Sequence, residues 1–196
     1  MPVNFLPIKI DPPVKLILAR LRVRIPDLPK EERERIEAEI GRQFVKCRFV
    51  GAWLEISRSE ALRLAGNSRD VAARLENCSA AVIFTVTAGA DIVAAVRQAF
   101  ADGSSFRAAV CDAVGSEGVE AAVDALELHL RQLFARSGRA LGKRRFSPGY
   151  GDWSLEAQRE FFRLLEMKKL GVELGDRLIL SPEKTVTAMI GVTGNE

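Results

Sequence analysis

The first third of the chain switches repeatedly between helical and extended hydrophobic patterns. From Lys30 to Cys47, apolar residues recur at every fourth position among Glu and Arg residues, which predicts an amphipathic helix: Ile36, Ile40, Phe44. The stretch from Phe49 to Ile56 is rich in aromatic and β-branched residues and predicts a strand. Val14 to Val23 is mostly apolar with interleaved basic residues, and this pattern suits either a short helix or a strand.

Capping residues divide the next segment into two helices. Ser57 is followed by Glu60 at the spacing of a capping box, in which each side chain bonds the backbone N–H of the other residue. The Gly66–Asn67 pair is expected to end that helix, because both residue types tolerate the left-handed conformations of helix ends. Ser68 then predicts the start of another helix, which we expect to reach about Asn77.

A near-continuous apolar run from Ala80 to Thr87 predicts a buried strand at the centre of a sheet. Helices are expected from Asp91 to Phe100 and from Ser104 or Ser105 to about Ala135. Gly115 and Gly118 interrupt the second helix, each at a cost of ~1 kcal/mol relative to alanine. Close approach of a ligand or of another backbone would explain these glycines, and so would a tight helix crossing.

The C-terminal quarter predicts one helix and a pair of strands. Ser154 is expected to cap a helix that runs to about Lys169 and that Gly171 ends. Leu174 to Leu180 and Thr185 to Val192 are predicted to be strands, joined by a turn at Ser-Pro-Glu-Lys. Because strands and helices do not alternate regularly along the chain, the predicted fold class is α+β.

Composition narrows the class of protein without indicating a function. The chain has 196 residues, of which 47% are hydrophobic and 28% charged, and this suits one soluble globular domain. The net charge of +3 is too small to indicate nucleic-acid binding, and no apolar run approaches the ~20 residues of a membrane span. The N-terminal stretch lacks the features of a signal peptide, and three widely spaced cysteines suit buried free thiols: Cys47, Cys78, Cys111. We therefore expect a cytoplasmic protein with no nucleic-acid or membrane partner.

Several common catalytic and cofactor-binding motifs are missing from the sequence. The single histidine, His129, has no Cys, Asp or Glu residues around it at metal-ligand spacing, so neither a zinc site nor a Ser-His-Asp triad is expected. No glycine-rich motif for a dinucleotide or a nucleoside triphosphate occurs. The residues therefore give no independent evidence for a self-contained catalytic constellation.

The most specific chemistry lies between Arg144 and Gln158, in the segment RRFSPGYGDWSLEAQ. Pro148 and Gly149 predict a tight turn, because proline presets one dihedral and glycine tolerates the positive φ that follows. The turn would bring together the Arg145 guanidinium, a bare glycine backbone and the ring of Tyr150. Arginine offers a bidentate fork to a carboxylate, and tyrosine offers a π face to a cation. The same pattern also suits a loop tied down by a surface arginine and a packed tyrosine.

RFSPGYGDW and the residues after it resemble the reactivation domain of cobalamin-dependent methionine synthase, and more closely the free-standing small proteins that consist of this domain alone. The resemblance continues upstream through ENCSAAVIFTVTAGADI and DAVGSEGVEAAVDALELHLRQ and covers roughly residues 76 to 192. We assign residues 76–196 to the activation-domain core that carries the motif, and residues 1–75 to a helix and strand portion of the same domain. The resemblance implies a curved antiparallel β-sheet decorated by helices.

In this family the domain binds S-adenosylmethionine and holds it over the cobalt of cobalamin. An electron from a flavoprotein and a methyl group from the ligand then convert inactive cob(II)alamin back to an active form. The resemblance therefore implies an accessory module rather than a self-contained enzyme. Its partner would be a cobalamin-binding methionine synthase or another corrinoid protein that supplies the cobalamin in trans.

The resemblance also implies site residues. Arg145 matches the arginine that binds the ligand's carboxylate, and Pro148, Gly149 and Tyr150 match the turn that lies along the ligand. Glu120 matches a glutamate that faces the ligand, where a carboxylate suits an ammonium and a sulfonium; an exposed helix residue is the alternative. No catalytic or metal-binding residue is assigned. We expect Arg145→Ala to weaken ligand binding while hardly changing the stability of the ligand-free protein.

Three positions depart from the family pattern. The nearest candidate for an aspartate that holds the ligand's amino group is Asp11, and nothing around it matches. Ile190 and Gly191 stand where the family has an aromatic pair beside the ligand, and a histidine shortly after the Gly-Tyr pair is missing. These departures keep a second function open, in which the chain has lost ligand binding and only contacts a corrinoid protein.

A run of six basic residues precedes Asp152 without an intervening acid: Arg131, Arg136, Arg139, Lys143, Arg144, Arg145. Apart from Arg145, we interpret them as a solvated helix end, where cations also suit the helix dipole. An electropositive rim that docks an anionic partner is the alternative.

Overall fold

The computed structural model describes residues 2–24 and 28–194. The strands are β1 Asn4–Pro7, β2 Val50–Ser57, β3 Ala80–Thr87, β4 Ala140–Leu141, β5 Glu173–Leu174, β6 Leu180–Ser181 and β7 Thr185–Thr193. The α-helices are α1 Val14–Arg20, α2 Lys30–Phe44, α3 Arg58–Ala65, α4 Arg69–Arg74, α5 Ala90–Ala101, α6 Ser105–Ala135 and α7 Ala157–Leu164.

One curled antiparallel sheet organises the fold, with the strand order β1-β2-β3-β7-β4. β3 is the central strand, and all eight of its residues are buried. Alternate residues of β3 join different hydrophobic clusters, because successive side chains of a strand point to opposite faces. A strand covered on both faces needs no polar alternation, which explains the continuous apolar run. The prediction of an α+β fold built on a curved antiparallel sheet is confirmed.

Helices cover both faces of the sheet and create two separate cores. On one face, α1, α2, α5 and the long α6 pack on the sheet around Phe84, Leu126 and Phe134. On the other face, α3, α4 and α7 pack around Ile83, Trp153 and Phe161. None of the helices among the described residues combines the length and hydrophobicity needed to cross a membrane.

Most of the predicted elements form close to their expected positions. The capping box of α3 is present, since Ser57 N–H donates to Glu60 Oε2 at 2.9 Å and Glu60 N–H donates to Ser57 Oγ at 3.2 Å. Ser68 caps α4 through a hydrogen bond from the N–H of Val71 at 3.1 Å, although α4 ends at Arg74. The ambiguous segment after residue 13 is a helix, α1.

The helix predicted from Ser154 is shorter at both ends. Ser154 Oγ accepts the N–H of Glu156 at 3.2 Å in a local turn, and α7 begins only at Ala157. Beyond the helix, Glu166 takes a left-handed conformation with φ 48°, and Met167–Leu170 then forms a 3-10 turn. Gly171 ends this turn at φ 71°, the conformation that favours glycine.

The strand predicted for 174–180 is wrong. β5 and β6 are two short strands that pair with each other, with Leu174 opposite Leu180. Between them the N–H of Gly175 bonds to the carbonyl of Ile179 at 3.0 Å, because a Gly-Asp pair favours a turn over extended backbone. The edge strands β1 and β4 were not predicted, since four and two residues carry too little pattern.

The two glycines of α6 allow close packing rather than ligand approach. The helix runs through both without a break. A Cβ on Gly118 would lie 2.7 Å from Cζ of Phe49, and a Cβ on Gly115 would lie 3.1 Å from Cγ of Lys184. The nearest contact of each glycine is a side chain from outside the helices, so the structure explains these glycines by close side-chain packing rather than by the expected helix crossing.

The cysteines are free thiols, as predicted. Cys78 and Cys111 are buried, and Cys47 is partly buried. Burial, with a smaller contribution from neighbouring Cys111, raises the pKa of Cys47 to about 12. The thiolate, which is the reactive form, is therefore scarce at neutral pH.

Gly118→Ala should destabilise the protein, because the new methyl group would overlap the Phe49 ring. Overpacking costs about 1–3 kcal/mol and outweighs the ~1 kcal/mol gained in helix propensity. Gly41→Ala in α2 is the matched control, since no atom lies within 4 Å of its added Cβ. Thermal denaturation should show a lower Tm for Gly118→Ala and an equal or higher Tm for Gly41→Ala. Equal behaviour of the two variants would contradict close packing of Gly118 against Phe49.

Candidate functional site

The RFSPGY segment is held on the sheet by backbone pairing. The N–H of Phe146 donates to the carbonyl of Met189 at 2.8 Å, and the N–H of Met189 donates to the carbonyl of Phe146 at 2.8 Å. The predicted turn follows at once: the N–H of Tyr150 bonds to the carbonyl of Ser147 at 3.3 Å, and Gly149 has φ 88°. Proline followed by a glycine with positive φ is the arrangement of a type II turn.

Aromatic side chains anchor the same segment in the core. The rings of Phe146 and Trp153 stack with centroids 5.8 Å apart, and Trp153 also contacts the edge of Phe161 at 5.7 Å. The indole N–H of Trp153 donates to the carbonyl of Leu64 at 2.9 Å, so this buried polar group has a partner. The guanidinium of Arg74 lies 4.6 Å from the centre of the Phe146 ring.

Asp152 ties the turn to α4. Its carboxylate accepts hydrogen bonds from Ser68 Oγ and, at 2.7 Å, from the N–H of Arg69. The bond from Ser68, assisted by backbone N–H groups at the start of α4, lowers the pKa of the Asp152 carboxyl. Gly151 has φ 59°, and a Cβ there would lie 2.6 Å from a carboxylate oxygen of Asp70.

A groove of about 550 Å³ opens beside the turn, and we call it the turn groove. Four of the five predicted site residues line it: Glu120, Arg145, Pro148, Tyr150. Gly149 stands in the turn itself but does not line the groove. The remaining wall comes from α7, the β5–β6 hairpin and the start of β7. The groove therefore combines a cation, a carboxylate, an aromatic ring and an apolar wall.

Arg145 is already paired with three carboxylates of α6. Its Nη1 donates to Asp124 at 2.7 Å and to Glu127 at 3.1 Å, and its Nη2 donates to Glu120 at 3.0 Å. Burial lowers the pKa of Arg145, but its hydrogen bonds to Asp124 and Glu127 outweigh that effect, so the net pKa is raised. The arginine therefore stays charged and also fastens the turn to α6.

Two other residues of the basic run are structural rather than solvated. Arg131 donates to the carbonyls of Leu141 at 3.0 Å and Gly142 at 2.7 Å. Arg139 makes a bidentate pair with Glu55, whose side chain is only 8% exposed. The interpretation of a solvated helix end is therefore wrong for Arg131 and Arg139. It fits the exposed Arg136, Lys143 and Arg144.

Three residues that depart from the family pattern lie outside the turn groove. Ile190 is 1% exposed and belongs to the core on the α6 face. A Cβ on Gly191 would lie 2.4 Å from the sulfur of Cys78, so no side chain fits there. Asp11 is exposed and does not line the groove. The residues at these three positions therefore remove no side chain from the turn groove.

Sequence reasoning missed several residues of the groove. Gln158 and Thr187 contribute polar atoms, and the β5–β6 hairpin contributes Leu178, Ile179 and Leu180. The hairpin was hidden by the wrong strand prediction. Gln158 gave no signal, because a glutamine in an amphipathic helix is ordinarily a surface residue.

A second groove of about 620 Å³ lies between α3 and α7. None of the predicted site residues lines it. Charged side chains on its walls pair along their own helices, as in Arg63 with Glu60 and Arg163 with Glu160. The turn groove, where side chains of α6, the turn, α7, the β5–β6 hairpin and β7 converge, is the better candidate site.

The architecture is that of methionine synthase reactivation domains. A crystal structure of the MetH reactivation domain bound to AdoHcy matches with a TM-score of 0.68, over 97% of this chain and 78% of that chain. The sequence identity is 14%, so the likeness shows the fold. No protein-family model matches the chain, and no curated protein matches it.

Arg145→Ala should lower the stability of the ligand-free protein, contrary to the expectation from sequence. The substitution removes three ion pairs. It also leaves Glu127, whose side chain is only 13% exposed, paired with one arginine instead of two. Exposed pairs are worth up to about 1 kcal/mol, and partly buried ones more, so we expect a loss of about 1–2 kcal/mol. Thermal denaturation measures this loss. The exposed Arg144→Ala should leave Tm unchanged, and an unchanged Tm for Arg145→Ala would refute the fastening role.

Proposed function

We propose that this protein binds S-adenosylmethionine in the turn groove and supports the reductive methylation of cob(II)alamin on a separate corrinoid protein. The observation that carries the proposal is the convergence of Arg145, Glu120 and Tyr150 on one groove at the RFSPGY turn. The fold likeness to a reactivation domain whose crystal structure holds AdoHcy supports the same ligand class.

Arg145 retains donors for a ligand carboxylate despite its ion pairs. A guanidinium has five N–H donors, and three of them are used by Asp124, Glu127 and Glu120. Among the described residues, the Nε–H and the second N–H of Nη2 have no protein acceptor. Two donors on one guanidinium are the number that a bidentate carboxylate contact requires.

The carboxylates beside Arg145 complement the rest of the ligand. Glu120 lines the groove, its side chain is 48% exposed, and its pairing to Arg145 uses one oxygen. S-adenosylmethionine carries an ammonium and a sulfonium next to its carboxylate. A guanidinium and a glutamate at the same end of the groove therefore match the alternating charges of the ligand's amino-acid end.

Exposed side chains at the rim of the groove support the proposal that a second protein binds there. Tyr150 is 70% exposed and Ile179 is 59% exposed, and both stand at the groove together with Leu155. Large exposed apolar side chains around a ligand groove suit a surface that a second protein covers. In the proposed complex the partner holds the cobalamin, a flavoprotein supplies the electron, and this chain positions the methyl donor. The partner is a cobalamin-binding methionine synthase or a related corrinoid protein.

Isothermal titration calorimetry with S-adenosylmethionine tests the ligand. Loss of a charge-assisted contact costs about 1.5–3 kcal/mol, so Arg145→Ala should weaken binding about ten- to a hundredfold. Arg145→Lys should recover part of the loss, because a point charge keeps the attraction without the fork. Arg144→Ala should bind like the wild-type protein.

The controls separate ligand contact from structural damage. Each variant is first compared with the wild-type protein by thermal denaturation without ligand, because Arg145 also fastens the turn. No heat with the wild-type protein at millimolar ligand would refute ligand binding. If a pull-down nevertheless recovered a corrinoid protein, the chain would be an interaction protein without a ligand.

A further inference from the structure

Gln158 is a buried polar residue at the floor of the turn groove. It lies on α7, is only 4% exposed, and lines the groove together with Thr187 of β7. The Thr187 hydroxyl donates to Oε1 of Gln158 at 2.9 Å, so the amide oxygen faces Thr187. Gln158 and Thr187 therefore form a defined polar pair between helix and sheet.

The amide nitrogen of Gln158 is left without a protein partner. Nε2 makes no hydrogen bond to any group of residues 2–24 and 28–194. Nε2 is nevertheless not sealed off from solvent, unlike Oε1 of Gln43, which is fully buried without a partner. Since Gln158 lines the groove, we infer that its free N–H donors open into the groove.

Apolar side chains form part of the groove beside this donor. Leu178 and Leu180 line it and are buried. Ligand sites combine apolar walls with a few placed polar groups that fix the orientation of the ligand. A buried amide donor next to apolar side chains suits a flat ring that carries an acceptor nitrogen.

We propose that Gln158 donates a hydrogen bond to a ring nitrogen of the ligand's adenine, and that Thr187 acts as a positioning residue for the Gln158 amide. This assignment rests on the proposed function, because it takes S-adenosylmethionine as the ligand. Arg145 and Glu120 then hold the amino-acid end, and Gln158 makes the chain selective for the base. Such a donor favours adenine over an analogue whose ring nitrogen is replaced by CH.

A double-mutant cycle between protein and ligand tests the proposal. Calorimetry compares S-adenosylhomocysteine with its 1-deaza, 3-deaza and 7-deaza analogues, in which one ring nitrogen is replaced by CH. With the wild-type protein, one analogue should bind about three- to tenfold more weakly, the effect of one neutral hydrogen bond. With Gln158→Met the same analogue should bind as well as the parent ligand, because the donor is gone.

Matched variants guard against a merely structural effect. Gln43→Met removes an equally buried helix glutamine, 5% exposed, outside the groove, and should keep the wild-type discrimination. Thr187→Val should reduce the discrimination, and Thr187→Ser should restore it, because serine keeps the hydroxyl. Equal wild-type affinity for all four ligands, or discrimination that survives in Gln158→Met, would overturn the assignment and leave the proposed function intact. If the wild-type protein binds neither S-adenosylmethionine nor any of these four ligands, the proposed function itself fails.

Discussion

The pairing of Phe146 with Met189 is the constraint on which the candidate site depends. Two backbone hydrogen bonds of 2.8 Å join an otherwise irregular segment to β7, so the segment behaves locally as part of the sheet. Consecutive side chains of this segment then point to opposite faces of the sheet. Arg145 reaches the carboxylates of α6, while the ring of Phe146 stacks on Trp153 in the opposite core. One bridge thus connects the two layers at the place where the groove opens.

The groove is a product of both layers and of the sheet edge between them. Glu120 comes from α6 on one face, Gln158 from α7 on the other, and Thr187 from the strand that separates them. A ligand that contacts all of these residues would touch elements far apart in sequence. The side chains are held by contacts that exist without ligand: three ion pairs for Arg145 and the Thr187 hydroxyl for Gln158. Such preorganisation lowers the ordering cost of binding.

Sequence reasoning succeeded where one local pattern decides the structure. The buried run of β3, the capping box at Ser57 and the turn at Pro148 each depend on neighbouring residues only. It failed where two local patterns compete. The residues from 174 to 180 have the apolar content of a strand, but the turn at Gly175 divides them into the β5–β6 hairpin. Ser154 makes a local turn instead of capping α7, so α7 starts late.

Some residues of the candidate site were predictable from the sequence and others were not. The RFSPGY residues were identifiable because the motif is contiguous, and a resemblance supplied Glu120. Asp124 and Glu127 were not, since nothing in the helical pattern of α6 shows which acids face an arginine 18 or 21 residues away. Gln158 and Thr187 are 29 residues apart and meet only because α7 folds back on β7.

The two tryptophans of the chain have a practical consequence. Trp53 packs beside Phe134 in the α6-side core, whereas Trp153 is 2% exposed in the core on the other face. Each layer therefore carries its own intrinsic fluorophore, and replacing either one with phenylalanine leaves a single emitter in a known layer. Trp153 stacks on Phe146 at the base of the turn, whereas Trp53 lies across the sheet. Emission from the two sites can thus distinguish unfolding of one layer from rearrangement of the other, without any added label.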